Sequence, residues 1–420
     1  MSINAAAKPG VAPKVFSSFD PRVWLLALGT FAVGTDSFVV SGILNQLAHD
    51  LAINLDVAGN IASSYSLAYG LSTPFLAALT SRFRKDRVVL TAIAAFGAAN
   101  TLCAVAPNYM TLIAARILTG FAAGLYTPTA YALAASVAAP DRKASALGAV
   151  ALGITASFVA GVPLGTAIGS RFGWHASFWL VAGLSLVAFA AMGLFPPRGL
   201  RAGKSTLSLA AKLAPLVHGR TLLALLPTLL FTAGTFATYT YFGALLRAHQ
   251  FSPHAVIAYY FVFGAGGLIS TQLGGRAIDR FGPITLLTLF LVIGILNTAL
   301  FPMSLSSMPA LAVMTFVLHF SFWLLMIGQQ RRLIKLSPEH TDVVLALNNS
   351  CVYVGVAVGA AIGGLIIAHG FGLERTPLAS CALFAGALLF FLSSIYLDHP
   401  SRTRAPEGEA PRRDARSIRR

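Results

Sequence analysis

The sequence predicts an all-α integral membrane protein, with twelve transmembrane helices in two pseudo-symmetric six-helix bundles. Three observations carry that expectation. First, 56% of the 420 residues are hydrophobic and only 10% are charged, against about 25% charged in a soluble domain; mean hydropathy is +0.74. Second, twelve apolar windows are long enough to cross a bilayer. They run over 22–47, 57–79, 88–106, 109–137, 144–169 and 174–196, then 221–245, 254–275, 283–303, 308–328, 344–368 and 376–397. Third, the two sets of six align at one constant shift of 198 residues. Pro140-Asp141 matches Pro338-Glu339, Gly161 and Gly165 match Gly359 and Gly363, and Arg82-Phe83 matches Arg280-Phe281. Six helices followed by six in the same orientation imply parallel repeats about an axis along the membrane normal.

Residues 1–21 lack an apolar h-region and read as a cytoplasmic tail, not a signal peptide. The N-terminal bundle is assigned to 22–197, a basic linker to 198–220, the C-terminal bundle to 221–398 and a disordered basic tail to 399–420. Charge sets the orientation. The termini and the loops on their side hold 26 of the 30 Lys and Arg, while the opposite loops hold Arg171, Arg247 and Arg375. Both termini are therefore expected in the cytoplasm. The net charge of +16 needs no nucleic-acid partner; anionic lipid at the cytoplasmic face accounts for it.

In the first helix Asp36 lies 14 residues beyond Arg22, roughly 21 Å along the axis and near the midplane. It is the one acid placed deep in a helix; the other thirteen fall in loops, tails or helix ends. Intramembrane carboxyls commonly mark proton relays. Arg116, inside the fourth helix, lies at a depth from which it can reach Asp36 if the helices adjoin; its alternative task is to bond backbone carbonyls. The glycines of the fifth helix and Pro163 permit close packing and a local bend. Gly161, Pro163 and Gly165, with Gly359 and Gly363 in the eleventh helix, are taken as the surfaces on which the halves rock against each other.

Aromatic and polar residues at helical spacing suggest a substrate pocket. Thr235, Tyr239 and Phe242 share a face of the seventh helix, and His319 and Trp323 one of the tenth. Phe38, Tyr126, Asn348 and Asn349 complete the candidate set. His319 reads as a satisfied core histidine or a second proton site. Cys103, Cys351 and Cys381 lie in apolar runs without metal-ligand spacing and are packing residues. No paired carboxylates, metal cluster or activated nucleophile occurs within the membrane windows, which excludes an evident membrane enzyme. No P-loop is present, so no nucleotide drives the cycle directly.

Four stretches resemble the major facilitator superfamily, in particular its bacterial twelve-helix drug:proton antiporters. Gly34-Thr35-Asp36-Ser37-Phe38-Val39 is similar to the first-helix motif, and Arg116 with Gly120 and Gly124 to the fourth-helix Arg-x-x-x-Gly motif. Gly148, Gly153, Gly161, Pro163, Gly165 and Gly169 resemble the antiporter motif. Gly275, Asp279, Arg280 and Gly282 match the loop pattern Gly-x-x-x-Asp-Arg-x-Gly, whose first-half copy has Ala77, Ser81 and Arg84 instead of Gly, Asp and Gly. The resemblance implies a gating role for Gly275, Asp279 and Arg280 and a monomer in the bacterial inner membrane. It also implies a proton-driven exporter of a small, largely neutral or apolar organic molecule, without a cofactor. Two rivals stand beside it: a proton symporter importing a nutrient, and a non-transporting receptor or scaffold on the same fold.

Overall fold

A computed structural model describes residues 21–139, 142–195, 219–338 and 341–398. The tail up to residue 20, the linker up to 218, the tail from 399, and Pro140, Asp141 and Glu339 lie outside the described residues. Among the described residues twelve long helices follow one another: α1 (Pro21–Asp50), α2 (Asn60–Leu79), α3 (Lys85–Ala104), α4 (Tyr109–Val137), α5 (Lys143–Phe172), α6 (Trp174–Leu194), α7 (Gly219–Ala248), α8 (Pro253–Phe281), α9 (Pro283–Ser304), α10 (Met308–Leu336), α11 (Thr341–Ala368) and α12 (Thr376–Asp398). Eleven are long and apolar enough to cross a membrane. The exception is α2, rich in Ser and Thr. Ser66, Ser72 and Thr73 are buried against protein, and Ser72 and Thr73 donate to the Tyr69 carbonyl of their own helix.

The packing repeats in the two bundles. α1 lies on α5 and α6, α2 on α4, and α3 on α4 and α6; likewise α7 lies on α11 and α12, α8 on α10, and α9 on α10 and α12. Between the bundles, α2 meets α11 and α5 meets α8, which are exchanged copies of one contact. Ser41 donates a hydrogen bond to the Tyr239 carbonyl, its own partner at the repeat shift. A residue that touches its symmetry mate lies on the axis, so α1 and α7 meet there.

Two helices are irregular where they reach that axis. α7 breaks between Tyr239 and Phe242, and the Ser41 hydroxyl takes up a backbone carbonyl at the break. Because that uses the one Ser41 proton, the Tyr260 hydroxyl donates to Ser41 at 2.6 Å. α5 widens into a π turn over Ser157–Gly161. Pro163 lacks the N–H that would serve the Val159 carbonyl, and the widened turn accommodates the loss.

The helices outrun their apolar windows on the side of the chain termini. α8 continues to Phe281 and α10 to Leu336, so Asp279-Arg280 and Arg331 ride on final helical turns and not in loops. Gly282 takes φ +81°, a left-handed conformation that favours glycine. In the first copy Arg84 has φ −65°, which any residue accepts, and the degenerate copy folds without strain.

The row of glycines does a different job from the one the sequence suggested. A Cβ on Gly161 would stand 2.0 Å from Thr35 Oγ1, and one on Gly165 2.5 Å from Val39. Both therefore seat α5 on α1, within the same bundle. Gly359 and Gly363 press on the Ala233 and Ala237 carbonyls of α7 in the same way. The close approaches between bundles fall instead at Gly264, against the Phe158 backbone, and at Gly70, against the Ser350 carbonyl. The helix surfaces were legible, but periodicity places a small residue on a face without saying which neighbour fills it.

Gly359→Ala and Gly264→Ala are each expected to lower stability by about 1–3 kcal/mol through overpacking against backbone. Gly148→Ala, with open space around it, is expected to leave stability unchanged. Thermal unfolding of the purified protein in detergent checks the three together.

Candidate functional site

Asp36 stands halfway along the 30-residue α1, with a fully buried side chain. Its Oδ1 accepts from Arg116 Nη1 at 2.6 Å, and neither side chain has any exposed surface. Arg116 also donates from Nη2 to the Asp36 carbonyl at 3.4 Å and from Nε to the Ile61 carbonyl at 3.3 Å. The guanidinium lies 4.3 Å over the Tyr65 ring and 5.7 Å from that of Phe178. One cation thus fastens α1 to α4 and α2. The second carboxylate oxygen has no hydrogen-bond partner; Asn100 of α3 lies beside the carboxyl and Cys103 beside the guanidinium.

The carboxylate faces into its own bundle. Ser37 donates to the Val33 carbonyl at 2.7 Å, so the Tyr65 hydroxyl must donate in the 2.7 Å bond that joins it to Ser37. Tyr65 meets Tyr69 edge-on at 6.1 Å, and Tyr69 stacks at 3.5 Å on Tyr353 of the other bundle. Asp36 is therefore linked to the bundle interface through α2, and does not stand in that interface.

The interface itself holds an aromatic cluster. Phe38 of α1 stacks on Phe158 at 4.2 Å and on Phe236 at 5.5 Å. Phe158, carried by the π turn of α5, lies 4.5 Å from His319 and 6.2 Å from Trp323. Tyr239 packs on Phe263 at 4.5 Å, and Phe263 stacks on His319 at 3.8 Å. Four predicted residues meet here: Phe38, Tyr239, His319 and Trp323.

His319 has both ring nitrogens engaged. Trp323 Nε1, which can only donate, reaches Nε2 at 2.9 Å. Nδ1 consequently carries the proton and donates to the Phe263 carbonyl at 2.5 Å. The histidine is a neutral, fixed spacer between α8 and α10, as the first of its two sequence readings had it.

Other candidates lie elsewhere. Tyr126 donates to the Leu26 carbonyl at 3.0 Å and fills the space left by Gly29, pinning α4 to α1. Thr235 caps the Phe231 carbonyl of its own helix at 3.0 Å. Asn348 accepts from Thr228 at 2.7 Å, inside the C-terminal bundle. Phe242 contacts Tyr259, Tyr260 and Phe301 to one side of the cluster. Asn349 lies beside Tyr69. Asp279 pairs with Arg331 at 3.3 Å, Arg280 lies over Phe281 at 5.3 Å, and Gly275 has nothing close to its Cβ position. Sequence reasoning missed Phe158, Phe236, Phe263 and Tyr65. For Phe158 a signal existed, since it stands five residues before the proline that forces the wide turn.

The family model described as Major Facilitator Superfamily matches residues 26–341. The chain belongs to the major facilitator superfamily. It is 33% identical to the uncharacterized MFS-type transporter YbcL of Bacillus subtilis, over 87% of this chain and 92% of that protein. It is 30% identical to the inner membrane transport protein YdhP of Escherichia coli, over 88% and 95% of the two chains. A probable sugar efflux transporter of Helicobacter pylori is 28% identical over 88% and 93%. The solved structure of the nucleoside transporter NupG shares the fold with a TM-score of 0.72, at 13% identity, over 89% of this chain and all of that one. The protein is thus a multi-pass membrane transporter and not an enzyme.

For this transporter, Trp323→Phe is expected to strand the His319 acceptor and cost about 1–3 kcal/mol of stability. Nitrogen-15 spectra of labelled histidine are expected to show a protonated Nδ1 and a bare Nε2 at position 319.

Proposed function

We propose that the transporter exports a small, largely neutral or apolar organic molecule in exchange for protons, by alternating access, with Asp36 as the proton carrier. The observation that carries this reading is the buried Asp36–Arg116 pair. It joins α1, α2 and α4, and α2 in turn packs on the other bundle. A buried pair is held only while both partners are charged, and breaking one costs several kcal/mol. Protonation from the outside-facing state neutralises Asp36, frees Arg116 and loosens α2. The bundles then rock, and Asp36 releases its proton to the cytoplasm.

Coupling in this scheme is not competition for one carboxylate. Asp36 points into its bundle, and Ser37 bonds Tyr65 beside the pair, while Phe38 enters the aromatic cluster and Ser41 meets the Tyr239 carbonyl. About half a helical turn of α1 separates Asp36 from Phe38 of the cluster, and about a turn and a half separates it from Ser41. The cluster supplies flat apolar faces with few polar groups and no charge, which suits a neutral solute. The name of the Helicobacter relative, a probable sugar efflux transporter, favours a neutral metabolite such as a sugar within that class. The excess of Lys and Arg in loops on the side of the termini supports cytoplasmic termini in a bacterial inner membrane.

Asp36→Asn is expected to abolish pH-gradient-driven transport while leaving membrane insertion and binding of a neutral substrate intact. In inside-out vesicles with an acid interior, the parent protein is expected to accumulate substrate. Accumulation only under the opposite gradient would identify an importer, and full activity of the Asn variant would remove Asp36 from the mechanism. Arg116→Lys should keep part of the activity, because an ammonium cannot reproduce the contacts to Asp36 and Ile61. Arg116→Ala should lose about 3–5 kcal/mol of stability by leaving a buried carboxylate alone.

A further inference from the structure

The repeat that builds the two bundles is broken at the start of α3. The shift of 198 residues sets Arg84-Lys85-Asp86-Arg87 against Gly282-Pro283-Ile284-Thr285. Four charged residues thus stand where the second copy has none. The ion pair of the second copy, Asp279 with Arg331, falls on Ser81 and Leu133 in the first. The fold therefore does not require charge at this turn. Cations at a helix start also oppose the helix dipole.

These residues border a groove of about 410 Å³ between α2, α3 and α4. Thr80, Arg82, Arg84 and Arg87 form its polar rim, and Val88 and Leu125 its apolar wall. Arg84 is neutralised by Asp86, with bonds of 2.6 and 3.2 Å. Arg82 and Arg87 are exposed, and no carboxylate pairs with either among the described residues. Two cations without a carboxylate, Arg82 lying 5.1 Å over the Phe83 ring, thus border a cleft whose other wall is apolar. Leu79 and Phe83 beside it are 61% and 50% exposed, on the surface a bilayer would cover. Topology calls for basic residues in this loop, but it does not call for a groove.

We propose that this groove binds one anionic glycerophospholipid, its phosphate held between Arg82 and Arg87 and an acyl chain laid along Val88 and Leu125. Guanidinium pairs recognise phosphate oxygens directionally, and the apolar wall selects a lipid over a soluble phosphate. The site stands apart from the Asp36 machinery and does not depend on the direction of transport.

The test uses the purified full-length chain in detergent, with lipid adducts counted by native mass spectrometry. Probes are phosphatidylglycerol, phosphatidylethanolamine and glycerol phosphate. One saturable phosphatidylglycerol site is expected. The double substitution Arg82→Gln and Arg87→Gln should weaken it at least about tenfold, through loss of two headgroup-facing cations. Thr91 also lines the groove, and Thr91→Trp, which fills it without changing charge, should weaken binding similarly. Arg276→Gln with Lys335→Gln, an equal charge removal from the second bundle, should stay within about twofold of the parent, the spread expected of a nonspecific charge effect. Unchanged binding in either groove variant overturns the proposal, as does equal loss in the second-bundle variant. Equal affinity for phosphatidylethanolamine would remove the anionic headgroup. Displacement of the lipid by equimolar glycerol phosphate would make this a free-phosphate site and overturn the lipid assignment.

Discussion

A single ion pair inside hydrocarbon, Asp36 with Arg116, is the constraint around which the N-terminal bundle is arranged. Two charges out of water are tolerated only if geometry and added hydrogen bonds repay their desolvation. The bundle supplies those bonds from three helices. The guanidinium takes one carboxylate oxygen, two backbone carbonyls and the face of Tyr65. Such an arrangement fixes α1, α2 and α4 together only while it stays charged. Its second carboxylate oxygen remains without a partner, the one polar position on Asp36 that the bundle leaves unfilled.

The scaffold around the pair is symmetric, and the pair is not. Helix contacts in one bundle are repeated in the other, and Ser41 touches its own repeat partner on the axis. At the shift of 198, however, Asp36 and Arg116 correspond to Gly234 and Met314. The charge belongs to one bundle alone, while α7, α8 and α10 of the other supply most of the aromatic cluster. One bundle therefore holds the buried pair, and the other supplies most of the aromatic cluster.

The fold was largely legible because it rests on quantities that sequence displays. Length and hydropathy of windows found the helices, and a constant shift found the repeat. Among the twelve, α2, found as the window 57–79, is the least apolar, since most of its serines and threonines are turned toward protein and not lipid. Asp36 and Arg116 were also legible, because a charge in an apolar run has few tolerable partners. The aromatic cluster was half legible. Phe38, Tyr239, His319 and Trp323 converge, but Tyr126, Thr235 and Asn348 satisfy bonds inside their bundles. Helical spacing gives a face, while the neighbour on that face depends on helix rotation, which one sequence does not encode locally. The glycines of α5 and α11 went astray for the same reason.

That distinction bears on the proposed coupling of proton to solute. Had Asp36 faced the space between bundles, a proton and a substrate could have exchanged for each other directly. It faces α2, α3 and α4 instead, so any coupling must pass through movement of helices. α1 is suited to that transmission. Within six residues it holds the ion pair, the Tyr65 hydroxyl, the aromatic cluster and the broken turn of α7. A rotation of α1 that relieves one of these contacts disturbs the other three. The break in α7 and the wide turn of α5 stand against that same stretch, where backbone hydrogen bonds are already interrupted and a change of packing has the least to undo.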